Sequence, residues 1–122
     1  MKPPRQLWGL AVGLGLIGWG CSALRHALLH SNAYDLGLFD QWVWLISQGL
    51  PPISSMEHVH VLADHGAWLL YGTALLYKLI SSVQWLLAGQ ALALSLTAIP
   101  IWWLAQQAGL SRHGCWVACG LW

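Results

Sequence analysis

Two long segments without a charged side chain limit the structures that this sequence can form. They are residues 6–24 and 83–105. A helix rises about 1.5 Å per residue, so each segment is roughly long enough to cross the ~30 Å hydrocarbon core of a bilayer. Only 7% of the residues are charged, against about 25% in a soluble domain. The sequence therefore predicts an all-α, polytopic membrane protein whose first partner is the lipid bilayer.

The remaining composition excludes some functions. The formal net charge is +1 and the five Lys and Arg residues are scattered, so we expect no nucleic-acid partner. Cys21, Cys115 and Cys119 lie in apolar segments and match neither a zinc motif nor a disulfide framework. The uncharged residues 114–122 predict the start of a further span, so the chain is expected to be the amino-terminal part of a longer protein.

One polar segment, residues 26–65, separates the apolar ones. It contains all four acidic residues and five of the six histidines, but no Lys or Arg. By the positive-inside rule, this segment is expected outside, and the amino terminus with Lys2 and Arg5 is expected in the cytoplasm. Residues 6–24 are predicted to be a retained span, because they exceed the roughly 7–15 residues of a signal-peptide core. The alternative is a cleaved signal peptide, since Cys21, Ser22 and Ala23 are small residues at a plausible cleavage position.

Within the polar segment, residues 35–48 predict a helix that lies on the membrane surface. Asn32 is a candidate N-cap, and Gly49 with two prolines soon after it predicts the end. Trp42 and Trp44 suit the headgroup level of the bilayer. A helix of this length is too short to cross. Apolar residues recur along it at three- and four-residue spacing: Leu36, Phe39, Val43, Ile46 and Leu50.

Residues 66–80 form a shorter apolar segment, and two arrangements fit it. If it crosses the membrane, the chain has three spans, with Lys78 inside and Arg112 outside. If it lies on the surface, the chain has two spans and Arg112 returns to the cytoplasm. Its length favours two spans.

Two sequence features inside the spans predict helix packing and a helix kink. Gly9 and Gly13 are spaced for close packing of the first span against a neighbouring helix. Pro100 is expected to kink the second span, because proline lacks a backbone N–H.

Two groups of residues in the polar segment can carry chemistry. Asp35 and Asp40 are carboxylates near the outer surface, where a carboxylate can act as a general base or bind a metal. Five residues on a helix place them about 140° apart, so they do not converge on one proton. The alternative is that Asp35 only stabilises the positive end of the helix.

The second group lies in residues 57–65. His58 and His60 would face one way on an extended strand, and His60 and Asp64 would share a face on a helix. Either arrangement suits a metal ion, zinc where imidazoles dominate and magnesium or manganese where carboxylates dominate. No standard metal motif is present, and the alternative is a solvated outer loop.

One segment resembles a known family. Residues 34–41, followed by Trp44, resemble the Tyr-Asp-Leu-Gly-x-Phe-Asp-Gln-x-x-Trp segment of the bacterial predicted-membrane-protein family called domain of unknown function twenty seventy-nine. His65 matches a histidine of that family, and the resemblance covers about residues 7–110. The chain departs from the family at residues 72–73, where Gly-Thr lies in a run that usually contains proline.

The organisation of that family resembles the GT-C glycosyltransferases, which transfer sugars from polyprenyl-phosphate donors at the outer surface of a membrane. The resemblance implies a bacterial inner-membrane protein, with Asp35 as the first choice for the catalytic acid and Asp40 as the second. It also implies that His65 orients the donor phosphate, that Tyr34 and Gln41 contact substrate, and that magnesium or manganese is an optional cofactor. The family has no assigned reaction, so an enzymatic role is one hypothesis. A transporter and a non-catalytic scaffold subunit are the alternatives.

Overall fold

A computed structural model describes residues 2–31, 33–64 and 66–121. In these residues the secondary structure is helical apart from one isolated β-bridge between Ile53 and His60. The predicted all-α class is therefore confirmed. The helices are α1 (Arg5–Ala27), α2 (Ala33–Ser47), α3 (Val61–Asp64), α4 (Leu69–Leu79), α5 (Gln84–Leu96), α6 (Ala98–Gln107) and α7 (Arg112–Gly120).

Two helical stretches are long and apolar enough to cross a membrane. They are Arg5–Ala27 and Gln84–Gln107, and each buries only 17% of its most apolar window inside the protein. The core helix of a soluble protein would be mostly buried, whereas here large side chains such as Leu10 and Ile17 point outward. This pattern is that of a helical membrane protein.

The second stretch is interrupted at Thr97, between α5 and α6. The ring of Pro100 clashes with the carbonyl group four residues earlier, which belongs to Leu96. α5 ends at Leu96, and the Thr97 hydroxyl donates to the carbonyl oxygen of Leu94. The interruption lies where Pro100 predicts a disturbance of the helix.

The chain divides into two compact units, and the first contains Met1–Ser22 and Ala88–Trp122. Its core contains Leu7, Trp102, Ala105 and Cys115. The Trp102 and Trp116 rings meet edge to face, with centroids 5.3 Å apart, a favourable geometry for aromatic pairs.

The close helix contact in this unit is not where the glycine spacing predicted it. A Cβ atom at Gly9 or Gly13 would meet nothing within 4 Å, whereas one at Gly15 would lie 2.7 Å from Leu92 Cδ2 and from Ser95 Oγ. Within the described residues, Gly9 and Gly13 therefore make no such contact, and their predicted packing face stays a prediction. Gly15 lies on the side of α1 that faces α5, whereas Gly9 and Gly13 do not.

The second unit contains Ala23–Leu87, and its core forms between α2 and α4. Trp42 is 0% exposed there, so its indole is enclosed by the protein and does not contact the headgroups as an exposed tryptophan would. Because α4 covers this face of α2, the indole packs inside the protein, whereas Trp44 remains 44% exposed. The buried residues of this core are Leu38, Trp42, Val43, Val61, Leu70, Ala74 and Tyr77.

The ends of α2 and α1 use the same hydrogen-bond pattern with different residues. After α2, Gly49 has φ 71°, and the N–H groups of Gly49 and Leu50 donate to the carbonyls of Ile46 and Leu45. This is a Schellman motif, and it confirms the predicted stop. After α1 the equivalent position is Leu29, with φ 58°, where a side chain costs about 1–2 kcal/mol relative to glycine.

Candidate functional site

A cavity of about 570 Å³ lies wholly within the Ala23–Leu87 unit. Its wall is formed by the end of α1, one face of α2, the end of α4 and the segment before α5. Pockets of about 300–1,000 Å³ are typical of small-molecule sites. The lining residues are His26, Leu29, Ser31, Leu36, Gly37, Asp40, Trp44, Tyr77, Ser81, Ser82 and Val83.

One polar group of the cavity is the pair formed by Asp40 and Tyr77. The Tyr77 hydroxyl donates to Asp40 Oδ1 at 2.6 Å. Burial raises the pKa of Tyr77, and the hydrogen bond to Asp40 raises it further, so the phenol remains protonated and acts as a donor. Asp40 Oδ2 has no hydrogen bond to the residues that the structure describes, which leaves this oxygen able to accept a ligand hydroxyl.

A second polar group comes from His26, Ser31 and Ser82. His26 Nδ1 lies 3.1 Å from Ser31 Oγ. The Ser82 hydroxyl accepts the N–H of Gln84 at 3.3 Å, at the start of α5. The same cavity wall contains the apolar side chains of Leu29, Leu36, Trp44 and Val83, so an amphipathic ligand fits its chemistry.

The predicted catalytic residues fall in different places. Asp40 lines the cavity. Asp35 lies in the exposed first turn of α2 and is not a lining residue. The structure therefore does not bring the two carboxylates together, in agreement with their helical spacing.

The predicted substrate-binding residues Tyr34 and Gln41 contact the segment that follows α2. The Tyr34 hydroxyl donates to Glu57 Oε1 at 2.7 Å, and this hydrogen bond raises the pKa of Tyr34. Gln41 Nε2 donates to Ser55 Oγ at 2.9 Å, while Gln41 Oε1 accepts the Ser55 N–H at 3.0 Å. Together these bonds hold residues 55–57 against α2. The third predicted substrate-binding residue, His65, lies outside the described residues.

The paired-histidine metal site does not form. His58 has φ 57°, which breaks the extended conformation that would align it with His60. His60 Nδ1 instead accepts the N–H of Leu62 at 3.2 Å, at the start of α3. Within the described residues, no group of three or more His, Cys, Asp or Glu side chains could hold a metal ion.

Sequence reasoning missed most of the cavity. Tyr77 lies in an apolar run, 37 residues from Asp40, and Ser82 looks like an ordinary helix cap. One signal was available: a tyrosine that shares the buried face of a helix with Leu70 and Ala74 needs a partner for its hydroxyl.

Comparison with known proteins agrees with the membrane character. A family model described as Predicted membrane protein (DUF2079) matches residues 25–122. The chain belongs to this family. The match includes the whole cavity, from His26 to Val83. No curated protein and no solved structure matches the chain.

Proposed function

We propose that this DUF2079 protein is a membrane glycosyltransferase that uses a prenyl-phosphate-linked sugar at the non-cytoplasmic surface. The observation that carries the proposal is the cavity, where the carboxylate of Asp40 lies in the same wall as apolar side chains such as Leu36 and Trp44. A lipid-linked sugar has the same two chemistries, a polar head and an apolar chain.

The positions of two lining residues along the chain support a membrane-surface site. His26 lies at the end of α1 and Ser82 lies just before α5, and both line the same cavity. If α4 crossed the bilayer between them, these residues would lie on opposite sides. The 11 residues of α4 extend about 16 Å, which is too short for a ~30 Å core. Two spans with both ends on one side fit these facts.

The chemistry assigned to Asp40 is general base catalysis. Its Oδ2 takes the proton of an acceptor hydroxyl, and the acceptor oxygen forms a bond to the anomeric carbon of the donor sugar. The bond between that carbon and the phosphate oxygen breaks, and prenyl phosphate leaves with the electron pair. Tyr77 donates to Oδ1 and so fixes the orientation of the carboxylate. Asp40 replaces Asp35 as the first choice, since Asp35 lies away from the cavity.

The test is transfer of radiolabelled hexose from prenyl-phosphate glucose and prenyl-phosphate mannose by membranes that contain the protein. We expect Asp40→Asn to lower transfer by about 100-fold or more, because 100-fold is the lower end of the usual contribution of a general base. Asp35→Asn is the matched control and should retain most of the activity. Equal protein levels are checked by immunoblot. Activity in Asp40→Asn equal to wild type, or no transfer from either donor by the wild type, would contradict the proposal.

A further inference from the structure

The polar groups of the cavity differ in what they offer a ligand. Asp40 is an acceptor, and a phosphate close to it would meet like charge. His26, Ser31 and Ser82 can donate, and they come from the end of α1, the segment after it and the segment before α5. An anionic group in this cavity is therefore expected to contact these three side chains rather than Asp40.

The pair formed by His26 and Ser31 keeps a donor in every protonation state. If the Ser31 hydroxyl donates to His26 Nδ1, the neutral ring carries its proton on Nε2. If Nδ1–H donates instead, the hydroxyl proton of Ser31 remains. If the ring is charged, both its Nε2–H and the hydroxyl proton of Ser31 remain available. Neither side chain has another hydrogen bond within the described residues, so at least one polar hydrogen is always available to a ligand.

Ser82 adds a further donor. Its oxygen accepts the N–H of Gln84, and its own hydroxyl proton has no acceptor within the described residues. Ser81 differs, because its hydroxyl already donates to the carbonyl oxygen of Tyr77 at 3.2 Å. His26, Ser31 and Ser82 are all half-buried, so hydrogen bonds to an anion there are less weakened by water than on an open surface.

We propose that the side chains of His26, Ser31 and Ser82 bind the phosphate group of a prenyl phosphate in the cavity that Asp40 also lines. The ligand class rests on the proposed function, whereas the contact with an anion follows from the polar hydrogens that these three side chains have available. In this arrangement the phosphate contacts the donor group, the prenyl chain contacts Leu29, Leu36 and Val83, and Asp40 is left to the acceptor hydroxyl.

The experiment measures binding of three probes to the protein in lipid nanodiscs: a prenyl phosphate, the matching prenyl alcohol and inorganic phosphate. We expect His26→Phe to raise the Kd of the prenyl phosphate by about tenfold, which corresponds to about 1.4 kcal/mol. Binding of the alcohol should stay the same, because the alcohol lacks the anion. His30→Phe is the matched control, since His30 is exposed and does not line the cavity.

A second variant protects the test against misfolding of the first. Ser31→Ala removes one hydroxyl and is expected to weaken prenyl-phosphate binding by about three- to tenfold, the range of a single hydrogen bond. Because His26 and Ser31 act as a pair, the double variant should lose less than the sum of the two losses. Unchanged binding of the prenyl phosphate in both single variants, or equal weakening of the phosphate and the alcohol, would overturn the anion site.

The three probes also distinguish free phosphate from lipid-linked phosphate as the ligand. Together with the transfer assay, they distinguish failure of the anion site from failure of the glycosyltransferase proposal. Inorganic phosphate that competes as well as the prenyl phosphate would support the anion site and assign it to free phosphate. Prenyl-phosphate binding that ignores His26, together with transfer that requires Asp40, would reject the anion site and leave the glycosyltransferase proposal standing. Prenyl-phosphate binding that depends on His26, without sugar transfer from any donor, would support the anion site and reject the glycosyltransferase proposal.

Discussion

At the level of single residues, the contact between Tyr77 and Asp40 contributes both to the stability of the fold and to the orientation of the proposed base. Tyr77 is 2% exposed, so its aromatic ring belongs to the core between α2 and α4, while its hydroxyl reaches the cavity. A hydrogen bond from a neutral donor to a carboxylate contributes more than a bond between two neutral groups. The same side chain therefore packs the unit and orients the carboxylate.

Tyr77→Phe tests this dual role. We expect it to lower the free energy of unfolding by about 1.5 kcal/mol, the lower end for a bond to a charged group, because Asp40 is only partly buried. SDS titration of the purified protein in mixed micelles measures the change. Tyr71→Phe is the matched control on the same helix, since its hydroxyl has no hydrogen bond among the described residues. Equal losses in the two variants would mean that the hydroxyl contributes nothing specific.

At the level of elements, two helices can approach closely where a glycine of one helix faces the other. Gly15 in α1 lies against Leu92 and Ser95 of α5, and a Cβ atom there would lie 2.7 Å from both side chains. Gly13, two residues earlier, faces open space. The two glycines are chemically identical and differ only in the direction they face.

Gly15→Leu and Gly13→Leu form a matched pair on one helix. We expect Gly15→Leu to destabilise the protein by about 1–3 kcal/mol, the usual cost of overpacking. Gly13→Leu should be neutral or slightly stabilising, because leucine is the better helix former. The same SDS titration gives both values. A larger loss for Gly13→Leu would mean that this face of α1 packs against another element.

Helix ends were easier to predict from the sequence than contacts between helices, because helix ends depend on local interactions. The end of α2 was predictable because the positive φ at Gly49 and the hydrogen bonds around it are local. The burial of Trp42 was not, because it depends on α4, which the apolar pattern left either as a span or as a surface helix. Asp40 was identified as a candidate acid from its family motif, but its partner Tyr77 required the packing of α2 on α4.

At the level of the whole molecule, the distribution of charge bears on function. Residues 84–107 contain no charged side chain, and the acidic residues all lie in residues 35–64. A transporter would be expected to place ionisable groups along its spans. Asp40 instead lines a cavity with residues from the last turn of α1 and the segment before α5, which supports the proposed chemistry at the membrane surface.

The same cavity also predicts the membrane topology of residues 26–83. Trp68, just before α4, and Leu79, in its last turn, are 71% and 78% exposed. The charged side chain of Lys78 is exposed beside Leu79, while the other face of α4 packs against α2. We expect α4 to lie at the membrane surface with the side chains of Trp68 and Leu79 in the acyl layer, as amphipathic surface helices do, so that residues 26–83 stay outside the cell.

Cysteine accessibility in intact cells tests this arrangement, with single cysteines at Ser55, Ser81 and Ser111 in a version without the native cysteines. All three serines are exposed, so burial in the protein does not mask the result. A membrane-impermeant thiol reagent should label the Ser55 and Ser81 probes in intact cells and the Ser111 probe only after lysis. Labelling of Ser55 and Ser111 with protection of Ser81 would mean that α4 crosses the membrane. Since His26 and Ser82 would then face opposite sides, that result would also remove the shared cavity and, with it, the surface site for a lipid-linked sugar.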